Sequence, residues 1–245
     1  LKVIDYRVNM IYDRFIRIDR SVNNRVQRYT GVYGMRETFN KLAEDKKNII
    51  IKGGISEFSK KSYSEASTDA ITRDCGISKG ILFHYFGSKK EFYIYCLEQA
   101  LERLMIEQSG AKASDFYDII FNFMEEKFDV CRKFREEMRL VNMAARETNS
   151  QVFDQKNKVL AKYTIKTREK SAKIMAEAVA VLNLKKTDPE KAAGALSLYI
   201  GAIINRYLEV YKETPDRFFE ESERIKAEIK EQIDFMLYGV VKEEV

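Results

Sequence analysis

The residue types with the most chemistry to offer lie together in residues 66–92. They read Ala-Ser-Thr-Asp-Ala-Ile-Thr-Arg-Asp-Cys-Gly-Ile-Ser-Lys-Gly-Ile-Leu-Phe-His-Tyr-Phe-Gly-Ser-Lys-Lys-Glu-Phe. Ile71 and Cys75 are four apart and can face inward together from a short helix. Gly76 follows as the residue able to take φ > 0 and turn the chain sharply. Ile77 plugs the turn, and Ser78 caps a second helix whose inward residue is Leu82. A short helix, a glycine-bearing turn and a second helix form the helix-turn-helix pattern that reads DNA. The outward face of the second helix presents Lys79, Gly80, Phe83 and His84. These supply a cation able to donate to guanine O6 and N7, a gap for close approach, and flat rings. Two short helices meeting at a glycine also suit a plain structural corner, so spacing alone leaves that alternative open.

Other chemistries find little support. His84 is the single histidine and no Cys-x-x-Cys pair occurs, so a zinc site is not expected. No nucleophile–base or paired-carboxylate arrangement stands out, so the chain is not expected to be an enzyme or to need a cofactor. Cys75, Cys96 and Cys131 are odd in number and irregular in spacing, which argues against a disulfide framework. They read as thiols packed like small hydrophobes, with a redox sensor as the alternative.

The elements that must position the 66–92 segment are helices. The 245 residues hold only two prolines and 11 glycines, and no alternating strand pattern of useful length occurs. An all-α fold follows, with helices over about 44–60, 68–74, 78–85, 89–108, 114–131, 134–147, 151–182, 188–213 and 215–238. Ser88-Lys89-Lys90-Glu91 is a capping box. Asp188-Pro189 and Thr214-Pro215 each put an N-cap residue before a proline at the first helical position. Ser109-Gly110 and Asn149-Ser150 punctuate longer connections, and Gly239 follows Tyr238 as a stop. The net charge of +5 is unevenly placed, at +4 over residues 1–35, +3 over 36–93 and −2 over 94–245. A basic N-terminal third on a slightly acidic remainder suits a nucleic-acid-binding head on a neutral body.

The run Gly76-Ile77-Ser78-Lys79-Gly80-Ile81-Leu82-Phe83-His84-Tyr85-Phe86-Gly87-Ser88-Lys89-Lys90-Glu91 resembles the recognition helix and next helix start of the tetracycline-repressor (TetR) family. Upstream, Ile50-Ile51-Lys52-Gly53-Gly54-Ile55-Ser56-Glu57-Phe58 sits where that family has its first helix. Glu37-Thr38-Phe39 through Leu42 resembles the opening of members from Gram-positive bacteria. The resemblance covers residues 35–93 and implies a three-helix DNA-binding domain over 35–92. It implies a helical effector-binding and dimerisation domain over 93–245. It also implies that Ser67 and Thr68 meet phosphate, that Ser78, Lys79, Gly80 and Ile81 approach base edges, and that His84, Tyr85 and Lys89 hold the DNA backbone, with Phe83 on the same DNA-binding face but lacking a phosphate-directed hydroxyl. Tyr85 can alternatively pack behind the recognition helix. Several positions depart from the family pattern. Gly53-Gly54 replaces an alanine pair, a change that weakens a helix by about 1 kcal/mol per glycine. Glu57 replaces an apolar residue, Ser62 a glycine, and Phe83 a common tyrosine. Asp69 can accept from a cytosine amino group or serve the dipole of its own helix.

For the remainder, the family implies a homodimeric regulator of transcription whose body binds a small molecule, with a repressor released from its operator as the leading reading. The expected partners are operator DNA, a small-molecule effector and a second copy of the chain. Phe121, Met124, Phe128, Met138, Met143 and Tyr163 are candidates for an apolar effector pocket, or for plain core. Leu196, Tyr199, Ile200, Ile203 and Tyr207 form one apolar stripe, and Gly194, Ser197, Leu198 and Gly201 a smaller-residue strip beside it. With Ile229, Ile233 and Met236, that strip is the expected dimer interface. Residues 1–34 lack a helical stripe and are expected to lie outside the folded unit, which would begin at Met35. A basic arm carrying Arg14, Arg17, Arg20, Arg25 and Arg28 is the rival reading. With no signal segment or membrane-length apolar run, a cytoplasmic location without membrane partners is expected.

Overall fold

The computed structural model describes residues 37–105, 115–184, 187–211 and 215–238. The expectations placed on residues 1–34, Ser109-Gly110, Thr214 and Gly239 fall outside them. The described residues are helical, with no strand among them. Residues 37–40 form one helical turn, followed by α1 (Glu44–Lys60), α2 (Thr68–Asp74), α3 (Lys79–Phe86) and α4 (Lys89–Leu104). Then come α5 (Phe116–Lys133), α6 (Arg135–Arg146), α7 (Phe153–Ala180), α8 (Pro189–Val210), α9 (Pro215–Glu220) and α10 (Ser222–Tyr238). None of these is long and apolar enough to cross a membrane. The single helix expected over 215–238 is broken at Glu221. Phe218 and Phe219 of α9 both pack edge-on against Phe128, with ring centroids 5.2 and 5.7 Å away.

The described residues fall into two compact units, here called head (37–105 and 131–163) and body (115–130 and 164–238). In the head, Ile50, Ile51, Ile55 and Phe58 line the inner face of α1 and meet Ile71 of α2, Leu82 and Phe86 of α3, and Phe92, Leu97 and Ala100 of α4. Leu140, Val141 and Ala144 of α6 join the same core, and α6 packs on both α1 and α4. Each such large apolar side chain contributes about 1.5–3 kcal/mol on burial. The glycine pair in α1 has a packing reason. A Cβ on Gly54 would lie 2.5 Å from both Phe92 Cζ and Cys96 Sγ, and one on Gly53 would collide with Cys75 Sγ. The helix propensity lost at these positions is offset by close approach of α4 and α2 to the α1 backbone.

In the body, Phe116, Ile120, Met124 and Phe128 recur every fourth residue along α5. They pack in one cluster with Leu196, Ile200, Ile203 and Tyr207 of α8 and Ile225, Ile229 and Ile233 of α10. Polar ties join the same helices. Tyr117 donates a short hydrogen bond to Asp234, Lys226 pairs with Glu125 at 3.2 Å, and Arg206 pairs with Glu228. Asp188 caps α8 by accepting the Glu190 N–H at 2.9 Å, with Pro189 at the first helical position.

Candidate nucleic-acid interface

The turn between α2 and α3 is built by local hydrogen bonding. Ser67 caps α2 by accepting the Ala70 N–H at 3.3 Å. At the other end of α2, Gly76 takes φ 66° and the Ile77 N–H reaches Thr72 O at 3.0 Å, closing the helix with the six-residue loop that needs a left-handed residue. Ser78 then caps α3 by accepting the Ile81 N–H at 3.2 Å. At the far end, Gly87 at φ 75° ends α3, and Ser88 opens α4 by accepting the Glu91 N–H at 3.2 Å. The Glu91 carboxylate accepts from Gln155 of α7 at 3.1 Å.

Burial sorts the faces of α3. Leu82 and Phe86 are 0% and 1% exposed, while Ser78, Lys79, Gly80, Ile81 and His84 face solvent. Phe83 is half-buried, and Tyr85 is half-buried with its ring 5.6 Å from that of Phe39, edge to face. Phe39 also packs against Phe86 at a tilt and against Tyr95 edge to face, with ring centroids 4.8 and 5.6 Å away, so the turn over 37–40 braces α3 from behind. Thr68, expected at phosphate, is buried at the start of α2, and Ser67 beside it is half-buried. Lys79 Nζ lies 3.0 Å from Asp69 Oδ2, which links the exposed faces of the two motif helices.

Two carboxylates that spacing did not single out for a role hold this corner. Glu57 accepts the Ser67 N–H and the Lys61 ammonium, each at 2.8 Å, so the acid that replaces an apolar residue ties α1 to the cap of α2. Burial alone would raise its carboxyl, but these hydrogen bonds and the charges of Lys61 and Lys60 hold it below the ordinary glutamate value. Glu147, after α6, accepts the N–H groups of Tyr63 at 2.7 Å and Asn149 at 2.8 Å. Lys89 sits over the Tyr63 ring at 4.8 Å and donates to Ser64 O at 3.4 Å. Burial draws its ammonium below the ordinary lysine value, against the opposing pull of Glu57 and Glu147. Among the described residues no disulfide forms, and Cys96 is buried while Cys75 and Cys131 are half-buried.

The remaining site candidates are dispersed. Met124 and Phe128 are buried in the body core with Phe121 against it, whereas Tyr163 belongs to the head core and Met138 and Met143 are half-buried on α6. The six therefore do not line one core. A shallow groove bounded by Tyr199, Arg224, Glu228, Gln232 and Phe235 contains none of them. Of the residues expected at a dimer interface, Ile229 and Ile233 are 0% exposed, because the chain's own α5 and α8 cluster covers them. Gly194, Ser197, Leu198 and Met236 face solvent and Gly201 is half-buried, with Leu198 78% exposed.

Two short capped helices, a left-handed glycine between them, and an exposed second helix braced on an apolar core define a helix-turn-helix head. Residues 50–96, from α1 into α4, match the sequence model of bacterial regulatory proteins, tetR family. The match spans the head's helix-turn-helix and the helices on either side of it. No curated protein sequence matches it significantly. Among solved structures, a TetR family transcriptional regulator from Chloroflexus aurantiacus J-10-FL is 20% identical, with a TM-score of 0.49 over 82% of this chain and 96% of that one. A TetR-like transcriptional regulator from Rhodococcus sp. RHA1 is also 20% identical, with a TM-score of 0.44 over 76% and 96%. A gamma-butyrolactone receptor (ArpA-like protein) is 14% identical, with a TM-score of 0.37 over 76% and 100%.

Proposed function

We propose that the protein is a homodimeric, sequence-specific regulator of transcription that leaves its operator when a small molecule binds the body. One observation carries the DNA-reading role. The N-terminal half of α3 offers Ser78, Lys79, Gly80 and Ile81 to solvent, while Leu82 and Phe86 anchor the opposite face in the core. A helix so presented enters a major groove with its N-terminal residues at base edges. Ser67, His84 and Lys89 flank it as contacts to the DNA backbone, which fix register without specifying sequence, while the buried side chain of Thr68 supports the start of α2 from inside. Phe83 and Tyr85 support α3 from its partly buried side.

The open strip of Gly194, Ser197, Leu198 and Gly201 on α8, with Met236 on α10, is the surface for a second copy. A Cβ on Gly194 or Gly201 meets nothing within 4 Å, so packing inside this chain does not require small residues there. Release follows from linkage. An effector that binds better to the form with misplaced heads weakens DNA binding by the same factor that DNA weakens effector binding. Selection of bound sequences from random duplex DNA, followed by affinity across salt concentrations, tests this reading. Enrichment of a two-fold symmetric site supports it. Absence of any enriched sequence, or affinity that does not fall with salt, refutes it.

A further inference from the structure

We propose that Asp69 and Lys79 act as one unit that reads a single G·C base pair in each half-site. This rests on the DNA-reading function proposed above and names the specificity of that surface. The pair spans the two motif helices, with Asp69 Oδ2 3.0 Å from Lys79 Nζ and side-chain exposures of 69% and 48%. A purely structural account explains it poorly. Exposed ion pairs contribute little in water. Lys79 is the first residue of α3, where the positive end of the helix dipole disfavours a cation, and no acidic residue occupies that first turn. Asp69 lies in the first turn of α2, where the helix dipole favours a carboxylate, but Ser67 already fills the cap and the dipole calls for no lysine opposite Asp69.

A carboxylate on a DNA-facing surface is repelled by phosphates unless it meets a donor. In the major groove the base donors are the cytosine N4 and adenine N6 amino groups. An ammonium needs acceptors, and guanine supplies two side by side, O6 and N7. Guanine O6 and cytosine N4 of one pair are hydrogen-bonded to each other and so lie about 2.9 Å apart. That separation matches the 3.0 Å between Lys79 Nζ and Asp69 Oδ2. An A·T pair offers a similar donor and acceptor, but thymine O4 stands beside a methyl group rather than a second acceptor. The charge order therefore favours guanine under Lys79 and its paired cytosine under Asp69.

The test uses the full chain and random duplex selection with the wild type, Asp69→Ala, Lys79→Ala and the double variant, with far-UV circular dichroism as the folding check. The wild type is expected to enrich one invariant G·C pair per half-site, with A·T at that pair disfavoured about five- to 150-fold. Each single variant should relax that same pair and no other, and the double variant should relax it no further. Asp69→Ala should bind random duplex at least as well as the wild type, since a carboxylate near phosphate is removed. The proposal is overturned if Asp69→Ala keeps the wild-type preference at every position, if the two variants relax different pairs, or if their common pair is A·T. A wild type that enriches no sequence at all refutes the DNA-reading function itself, a result distinct from an enriched site lacking this pair.

Discussion

Replacing Gly54 with alanine should destabilise the protein, although the change improves helix propensity in the middle of α1. Propensity alone gives a gain of about 1 kcal/mol. The new Cβ, however, would start 2.5 Å from Phe92 Cζ and 2.5 Å from Cys96 Sγ. Carbon contacts are favourable near 3.5–4.0 Å, so each neighbour must retreat by about 1 Å. Neither has room. Phe92 and Cys96 are both 0% exposed, and the Phe92 ring is wedged between Phe86 at 4.7 Å and Phe58 at 6.0 Å. Overpacking of such a site costs about 1–3 kcal/mol, and its rigidity points to the upper end, for a net loss of about 2 kcal/mol. Gly53 provides the control. Its obstruction is the Cys75 thiol, half-buried at the end of one rotatable bond, so Gly53→Ala should come out near neutral. In a Cys75→Ala background the same change should stabilise by about 1 kcal/mol, the full propensity gain. Urea unfolding at constant slope measures all three differences. A Gly54→Ala protein more stable than the wild type, or a Gly53→Ala effect identical with and without the Cys75 thiol, would refute the close-approach account of the glycine pair.

Lys89→Ala should weaken binding to all duplexes about equally and lower the log–log salt slope by about 0.9, as loss of one phosphate contact requires. A loss confined to one selected sequence would contradict that role. Glu57 has a folded-state pKa below its ordinary value, so its stabilising effect is complete above the unfolded value near 4.5 and is lost as pH falls through the folded one. Urea unfolding between pH 7 and 3 should therefore show the wild type losing stability more steeply than Glu57→Gln, and parallel curves would count against the tie to Ser67. A Cβ at Gly201 meets nothing within 4 Å in its own chain, so Gly201→Leu should fold, yet sediment as a monomer and lose more affinity for a selected site than for random duplex. A stable dimer of that variant with unchanged selected-site affinity would remove the α8 strip from the interface.

What the chain disclosed in advance depended on the range of the interaction involved. Ser78, Ser88 and Asp188 cap helices within two or three residues of themselves, and Gly76 turns the chain where it stands. The motif helices and most helix ends were accordingly legible to within a residue or two. The Glu57–Ser67 tie spans 10 residues and the Glu147–Tyr63 tie spans 84, so no local pattern marks either acceptor. Glu57 did stand out as a departure from the family pattern, but only the fold shows which N–H it serves.

The same distinction explains the two apolar helices of the body. Periodicity marks Ile229 and Ile233 as one face of α10 but says nothing about what covers it, and the chain's own α5 and α8 do so completely. On α8 the informative feature was residue size rather than hydropathy. Leu196, Ile200, Ile203 and Tyr207 bury one face, while Gly194, Ser197 and Leu198 lie open on another and Gly201 has free space where a side chain would project. Small residues that nothing in their own chain requires, set beside a leucine left 78% exposed, are what a helix needs when a second backbone approaches it closely. The burial of Ile229 and Ile233 therefore narrows the surface proposed for a second copy without removing it. The open α8 strip and Met236 remain, and the Gly201→Leu experiment acts on that strip without disturbing the core behind it.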